Sequence, residues 1–416
     1  MDKRPSIAIC VPTYEREEII KKFVEINSKV IDDSADILIF DSGVKPLDAD
    51  SIVKVAGNIN IEILRMPSEL SANAKFYEIY KKMQDSDYDY IWMIHDHTVF
   101  DREAYLYIKS CLISGADFYA INMQGARFFA YDYNNIGEFC INTAWMLNSV
   151  GSAIVNREGF LISVDWSGVG RFLERDSLPY SHVGLYFDTL AGIDSPQIVI
   201  IECIRDCFCD FLRNERPSWY RDTIRNCSEG WGSMMGKLPL QYKDITKTAV
   251  KTQDQFFLSK YNIFRLKKDG LYGIRDYIRY RKWINMVRTR SGIDLAILAF
   301  TPDIVARQIL FLEVRRLSKR YRKHNYSICL YGAGRHAVEY CEIFTDMGVS
   351  IDAYLVTSLK GNDRLSLNRP IFQANEFLKD HKAFVIIAVQ TSHVKEIEDN
   401  LYELKKSGLK VEYISL

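Results

Sequence analysis

His95, Asp96 and His97 follow directly on Tyr90–Ile94, a run of tyrosine, isoleucine, tryptophan and methionine. Two imidazoles flanking a carboxylate can hold a divalent ion, and the carboxylate alone can accept from a sugar hydroxyl. The apolar run suits a short strand buried on both faces, as in a parallel sheet. Open α/β folds place their ligands just beyond the carboxyl ends of such strands. The same triplet also fits a polar strand end with its histidines in solvent. Both readings stand at this level.

The elements that would position the triplet lie on its N-terminal side. Ser6–Val11 reads as a buried strand stopped by Pro12. Glu15 to Lys29 has helical spacing, with Ile19, Ile20, Phe23, Val24 and Ile26 apolar. Asp36–Phe40 is a second strand, ending on the turn cluster Asp41-Ser42-Gly43. Ile59–Leu64 alternates like a third, and Leu70–Met83 is a helix. Strands alternating with helices in this way predict a doubly wound, mostly parallel α/β sheet.

A chain of 416 residues has room for two or three domains. Its net charge is zero, so no global field points to nucleic acid. The charge is nevertheless uneven, with 17 Lys/Arg against 5 Asp/Glu between Lys260 and Lys323. Within that region RDYIRYRKWINMVRTR (275–290) reads as a basic amphipathic helix, a type that lies on anionic membranes or forms a solvated face of a bundle. The nine cysteines are scattered, and Cys203, Cys207 and Cys209 have no matching ligand set, so reduced thiols in a cytosolic protein are expected. The N-terminal residues carry no signal-peptide pattern, and no segment approaches 18 uninterrupted apolar residues.

The order of motifs over residues 5–235 resembles the family 2 glycosyltransferases with a GT-A fold. The carriers are Pro12-Thr13-Tyr14-Glu15-Arg16 after the first strand, Asp41-Ser42-Gly43 after the second, Asn73 in SANAKFYEIY, and YIWMIHDHTVF (90–100). NSVGSAIVNREGF (148–160) and LPYSHVGLYFDTLAG (178–192) place it nearest the abequosyltransferase-like subgroup. The resemblance implies that Thr13, Tyr14 and Glu15 meet the base of a nucleotide-sugar donor and that Asp41 meets its base or ribose. The residue-level alternatives are a strand-to-helix turn capped by Thr13 and an Asx turn at Asp41.

The triplet departs from that family, which carries acids in its metal motif. Here His95 and His97, or Asp96 and Thr98, stand in their place, so Mn²⁺ or Mg²⁺ and metal-independent transfer both remain open. The His-Asp pair of phosphohydrolases sits on helices and is disfavoured. Inverting transfer also needs a base for the acceptor hydroxyl. The resemblance puts it at the start of the helix His182–Ala191, where His182 has a type of side chain that titrates near neutrality; Asp176 is the reserve. Trp219, Tyr220 and Trp231 are candidates for stacking on acceptor sugar, with core packing as the alternative.

Ile198–Ile204 reads as a further strand followed by a helix, and 240–323 as helices. The last ninety residues form a Rossmann-like half: SICLYGAG (327–334), a helix His336–Met347, strands IDAYLV, AFVIIAV and VEYISL, and a helix Val394–Ser407. Gly332, Gly334 and His336 open its first helix. The acid that would follow about 20 residues later for NAD is missing around Tyr354–Thr357, so no NAD is expected. The stretch is similar to the nucleotide-sugar-binding modules of sugar acetyltransferases, with a structural or oligomerising role as the alternative.

The resulting expectation has three parts: a GT-A domain at 1–235, a basic helical linker at 236–323 and a Rossmann-like module at 324–416. It makes the chain a cytoplasmic, inverting transferase using a UDP-linked or related donor. The acceptor would be a saccharide, free or lipid-linked, in bacterial surface polysaccharide assembly. The competing expectations are a non-catalytic nucleotide-sugar-binding scaffold and a C-terminal module that is itself the active part.

Overall fold

Strands buried on both faces need long apolar runs, and the chain supplies them in β1 (Ile7–Thr13), β2 (Ala35–Asp41), β3 (Ile61–Arg65) and β4 (Tyr90–Met93). All four are parallel neighbours in the order β3-β2-β1-β4. β1 continues through Pro12, which the sequence reading took as its end. Its pairing with β4 stops at Cys10, so the missing amide of Pro12 breaks no bond on that side. The computed structural model describes residues 5–57, 59–125, 128–174, 180–204, 208–210, 218–251, 257–359, 369–389 and 391–416.

The sheet extends through β6 (Phe118–Gly125), β7 (Phe129–Tyr133), β8 (Ala153–Asn156) and β9 (Ile198–Ile204). Its full order is β3-β2-β1-β4-β8-β6-β9-β7. β8 runs against β4 and β6, and β7 against β9; the other six strands share one direction. β5 (Thr98–Phe100) pairs antiparallel with β10 (Phe208–Asp210), where the sequence reading expected a helix. The core under this sheet is aliphatic and aromatic, with Ile9, Phe23, Ile37, Trp92 and Tyr105 fully buried. Seen in order, this is the expected doubly wound, mostly parallel α/β sheet.

The chain divides into two compact units, 1–253 with 282–289, and 254–281 with 290–416. The second contains an all-parallel sheet of β11 (Ser327–Tyr331), β12 (Ala353–Val356), β13 (Ile371–Gln373), β14 (Ala383–Ile387) and β15 (Val411–Ser415). Its order, β13-β12-β11-β14-β15, is that of a doubly wound sheet, more than the expected half, with the strand order reversing between β11 and β14. Residues 254–281 and 290–323, which precede it, belong to the same unit. Phe311 packs its ring against Phe264, Tyr340 and Phe344. Arg307 pairs with Asp346 at 2.8 Å and Arg322 with Asp352 at 2.6 Å.

Cys10, Cys111, Cys140, Cys203, Cys227, Cys329 and Cys341 form no disulfide. Cys10, Cys140, Cys203, Cys227 and Cys329 are buried, and Cys111 and Cys341 half-buried. Burial pushes the thiols of Cys140 and Cys227 up to about 12 and raises those of Cys10 and Cys329 as well. Among the described residues, no helix is long and apolar enough to cross a membrane.

Candidate active site

Three neighbouring parallel strands, β2, β1 and β4, end at the same edge of the first sheet, and their last residues meet there. Asp96 lies just past β4 and is buried, 4% exposed. Its Oδ2 accepts from the Thr13 hydroxyl at the end of β1, 3.2 Å. Arg16 donates through Nη1 to Oδ1 at 3.1 Å, with its own side chain 42% exposed. Thr13 stays in β1 and caps no helix; the helix Glu17–Asn27 starts from Arg16 without a side-chain cap.

Lys75 comes from the helix Ala72–Gln84, which Ser71 starts by accepting from the Ala74 amide. Its ammonium is buried and donates to the Thr13 carbonyl at 2.9 Å. Burial pulls its pKa down, and the charges of Asp41 and Asp96 oppose that pull. The Tyr14 ring, 46% exposed, lies 5.9 Å from the same ammonium. Glu15 adopts a left-handed backbone, φ 51°, where the chain turns from β1 towards its helix.

Of the two readings of Asp41, a ligand contact and an Asx turn, its hydrogen bonds make the turn. It is wholly buried, and its oxygens accept from the amides of Gly43 (2.8 Å) and Leu47 (3.2 Å) and from the Arg65 guanidinium. The carboxylate shapes the turn after β2 and fixes Arg65, which also donates to the Gly43 carbonyl. A surface pocket lined by Phe40, Arg65, Met66, Pro67 and Leu70 opens beside that guanidinium and includes none of the residues singled out from the sequence.

His95 and His97 are half-buried and stacked on each other, centroids 5.0 Å apart and planes within 9°. Solvent does not hold them. Burial, with His97, His182 and Arg16 nearby, pushes the His95 pKa down to about 3. Among the described residues, no group of three or more His, Cys, Asp or Glu side chains could hold a metal ion.

His182 stands one residue into the helix Ser181–Gly192, close enough to His95 to affect its charge. That helix start is tied to the helix Ala72–Gln84. The Ser181 hydroxyl donates to Asn73 at 3.0 Å and the Tyr77 hydroxyl to the Ser181 carbonyl at 3.1 Å. His182 is 5% exposed, between the rings of Phe76 and Tyr186. Its Nε2 donates to the Asn148 carbonyl at 3.2 Å, which leaves the lone pair on Nδ1, a buried atom without a partner. The expected near-neutral titration is not what this environment gives: burial takes the pKa down to about 4.

The fit of that helix depends on a glycine. A Cβ on Gly184 would come within 2.4 Å of the Phe172 ring. Gly184→Ala is therefore expected to lower stability by about 1–3 kcal/mol. A urea midpoint equal to that of the parent chain would show that Phe172 can move aside.

Asp176 lies outside the described residues, as does the His336 side chain. Trp219 is 38% exposed and Tyr220 half-buried, both in the turn Ser218–Asp222. Trp231 belongs to the core: it is wholly buried, and its indole donates to the Val250 carbonyl at 3.0 Å. It lines no groove. In the second unit Gly332 takes φ 109° after β11, and Gly334 precedes the helix Arg335–Asp346. β12 is followed by Thr357, whose hydroxyl meets that of Tyr331 at 3.0 Å.

Sequence reasoning missed three cations, Arg16, Arg65 and Lys75. The first was within a quoted motif, and Lys75 follows Asn73 by two positions, but nothing in the spacing said that a lysine there would be buried. No family model matches the chain, and no curated protein does. Among solved structures it is similar to the mannosyltransferase PcManGT from Pyrobaculum calidifontis, in complex with GDP-Man and Mn²⁺. That pair is 10% identical over 72% of this chain and 87% of the other, TM-score 0.38. S. aureus TarS 1-349 is 10% identical over 77% and 92%, TM-score 0.43. Glucosyl-3-phosphoglycerate synthase from Mycobacterium tuberculosis, with Mn²⁺, UDP-glucose and phosphoglyceric acid, is 12% identical over 56% and 81%, TM-score 0.37.

Proposed function

We propose that the first unit is a GT-A-type, family-2-like glycosyltransferase that moves a sugar from a nucleoside diphosphate donor to a saccharide acceptor. One observation carries the reading: a buried carboxylate, Asp96, and two cations, Arg16 and Lys75, gather around Thr13 where adjacent parallel strands end. A pyrophosphate brings negative charge to such a place, and a buried cation such as Lys75 neutralises it more strongly than a solvent-screened one. Tyr14, exposed above Lys75, offers a face for the base.

Mg²⁺ is usually held by one or two carboxylates together with substrate phosphates, and Mn²⁺ suits the same oxygen ligands. The residues present fit that form: Asp96 offers one carboxylate, and the rest of the shell would come from phosphate and water. Such an ion would supply charge to the leaving diphosphate. His95 and His97 face each other, and His95, kept neutral by burial, walls the site in this reading. His182, neutral with its Nδ1 lone pair available, takes the acceptor's proton with inversion at the sugar carbon. It is a weak base, suited to a hydroxyl that acidifies only as its oxygen bonds to carbon.

The finer reading is a UDP-linked donor and surface polysaccharide assembly of the abequosyltransferase-like kind, with 1–235 as the transferase and 324–416 as a Rossmann-like nucleotide-binding module. It rests on the motif order and on the doubly wound order of the second sheet. Turnover of a panel of nucleoside diphosphate sugars, with and without Mn²⁺, tests the reaction. Tight nucleotide binding without turnover of any donor would favour the scaffold. Lys75→Met is expected to weaken UDP binding about tenfold in calorimetry. Unchanged affinity would remove Lys75 from the donor site.

A further inference from the structure

The helix Ile293–Phe300, IDLAILAF, is apolar on every side but one residue. Leu295, Leu298 and Ala299 are buried. Ile293, Ile297 and Phe300, spaced four and three apart, are exposed by 64, 45 and 56%. A helix apolar all round does not end in water; it is covered on both sides or lies in lipid. The next helix, Asp303–Leu310, repeats the arrangement. Ala306 is buried while Ile304, Val305 and Ile309 are exposed. Only Thr301 and Pro302 separate the two.

The charge changes where the apolar side chains end. After exposed Leu312, the helix Leu312–Lys323 carries Arg316, Lys319, Arg320 and Lys323 on one exposed stripe. Ile274 and Ile278 are exposed alongside Arg275 and Arg279 on the helix Ile274–Val287. Its Tyr277 touches Phe300, which brings these residues beside the apolar stripe. Asp303 is engaged by Lys267 at 3.4 Å, and Glu313 is an exposed acid on the basic helix.

We infer that these helices form a docking face for an anionic lipid surface. Aliphatic side chains enter the boundary between headgroups and acyl chains while the arginines and lysines meet lipid phosphates. A second protein fits less well, because protein interfaces concentrate aromatic residues and exclude lysine from their centres. The basic amphipathic segment picked out in the sequence is not the inserting element. Its Ile284 and Val287 are wholly buried, and the lipid-facing side chains are supplied mainly by the two helices after it.

The inference does not rest on the transferase reading. The full chain would be sedimented with phosphatidylcholine vesicles, with and without phosphatidylglycerol. Binding is expected only with phosphatidylglycerol and should weaken as salt rises. I304D/I309D, on exposed side chains, and R316E/R320E are each expected to reduce the bound fraction about tenfold. Unchanged circular dichroism would show that both variants fold. Absence of binding to phosphatidylglycerol vesicles, or binding by both variants equal to that of the parent chain, would overturn the inference. So would a concentration-dependent dimer, seen in sedimentation velocity and abolished by I304D/I309D, because a second copy would then cover the face.

Discussion

Asp96→Asn is expected to cut sugar transfer by about a thousandfold while leaving the fold intact. The substitution keeps the shape of the side chain and its ability to accept from Thr13, and removes only the charge. Arg16, the ion-pair partner, is 42% exposed and returns to water without leaving a buried cation behind. The thermal midpoint should therefore move by no more than about 3 °C. In the proposed function the loss falls on the reaction, because Asp96 is the carboxylate offered to a diphosphate-bound ion. Stopped-assay kinetics with a turning-over donor give the rate, and calorimetry with UDP shows whether binding is lost as well. An Asp96→Asn chain with more than a tenth of the parent kcat would remove Asp96 from the centre of the chemistry.

The second large effect is on stability against pH. His95 and His182 have folded pKa values of about 3 and about 4, against an ordinary value of 6.5. Both are depressed, so above 6.5 neither state takes up the proton and the full stability is present. Below 6.5 the unfolded chain binds protons that the folded chain refuses, and stability declines until the folded values are reached. At pH 5 each histidine contributes a loss of about 2 kcal/mol, or about 4 kcal/mol together. That is a large part of the roughly 5–15 kcal/mol that holds a typical domain. Urea midpoints at pH 7.5 and pH 5 measure it, and His182→Asn should recover about half the difference. Equal midpoints at the two pH values would show that these rings accept protons without opening the structure.

The parallel core of the first sheet was legible because its strands are continuous apolar runs with helices between them. β6 and β8 escaped because one runs into a polar end and the other has only four residues, too few for a period to register. The second sheet was legible through its Gly-rich turn, whereas β13, three residues long, was not. Within the site, the sequence put Thr13, Tyr14 and Asp96 near strand ends, because strand ends follow from hydrophobic runs, although β1 runs on through Thr13. It left Asp41 open between a ligand contact and an Asx turn, for a reason spacing cannot carry. Whether a carboxylate faces a ligand or its own turn depends on Arg65, 24 positions away on a neighbouring strand. The titration of His182 was misjudged, since its neighbours Phe76 and Tyr186 come from two helices that only the fold brings together.

The buried thiols provide a readout that needs no label to be engineered. A sulfhydryl reagent attacks the thiolate, and burial suppresses both access and ionisation at these positions. Modification then proceeds only when the surrounding structure opens. Cys140 and Cys227 report on one compact unit, and Cys329 on the other. Peptide mapping after timed alkylation would thus clock the opening of each half of the chain separately, in a single tube and without a mutation.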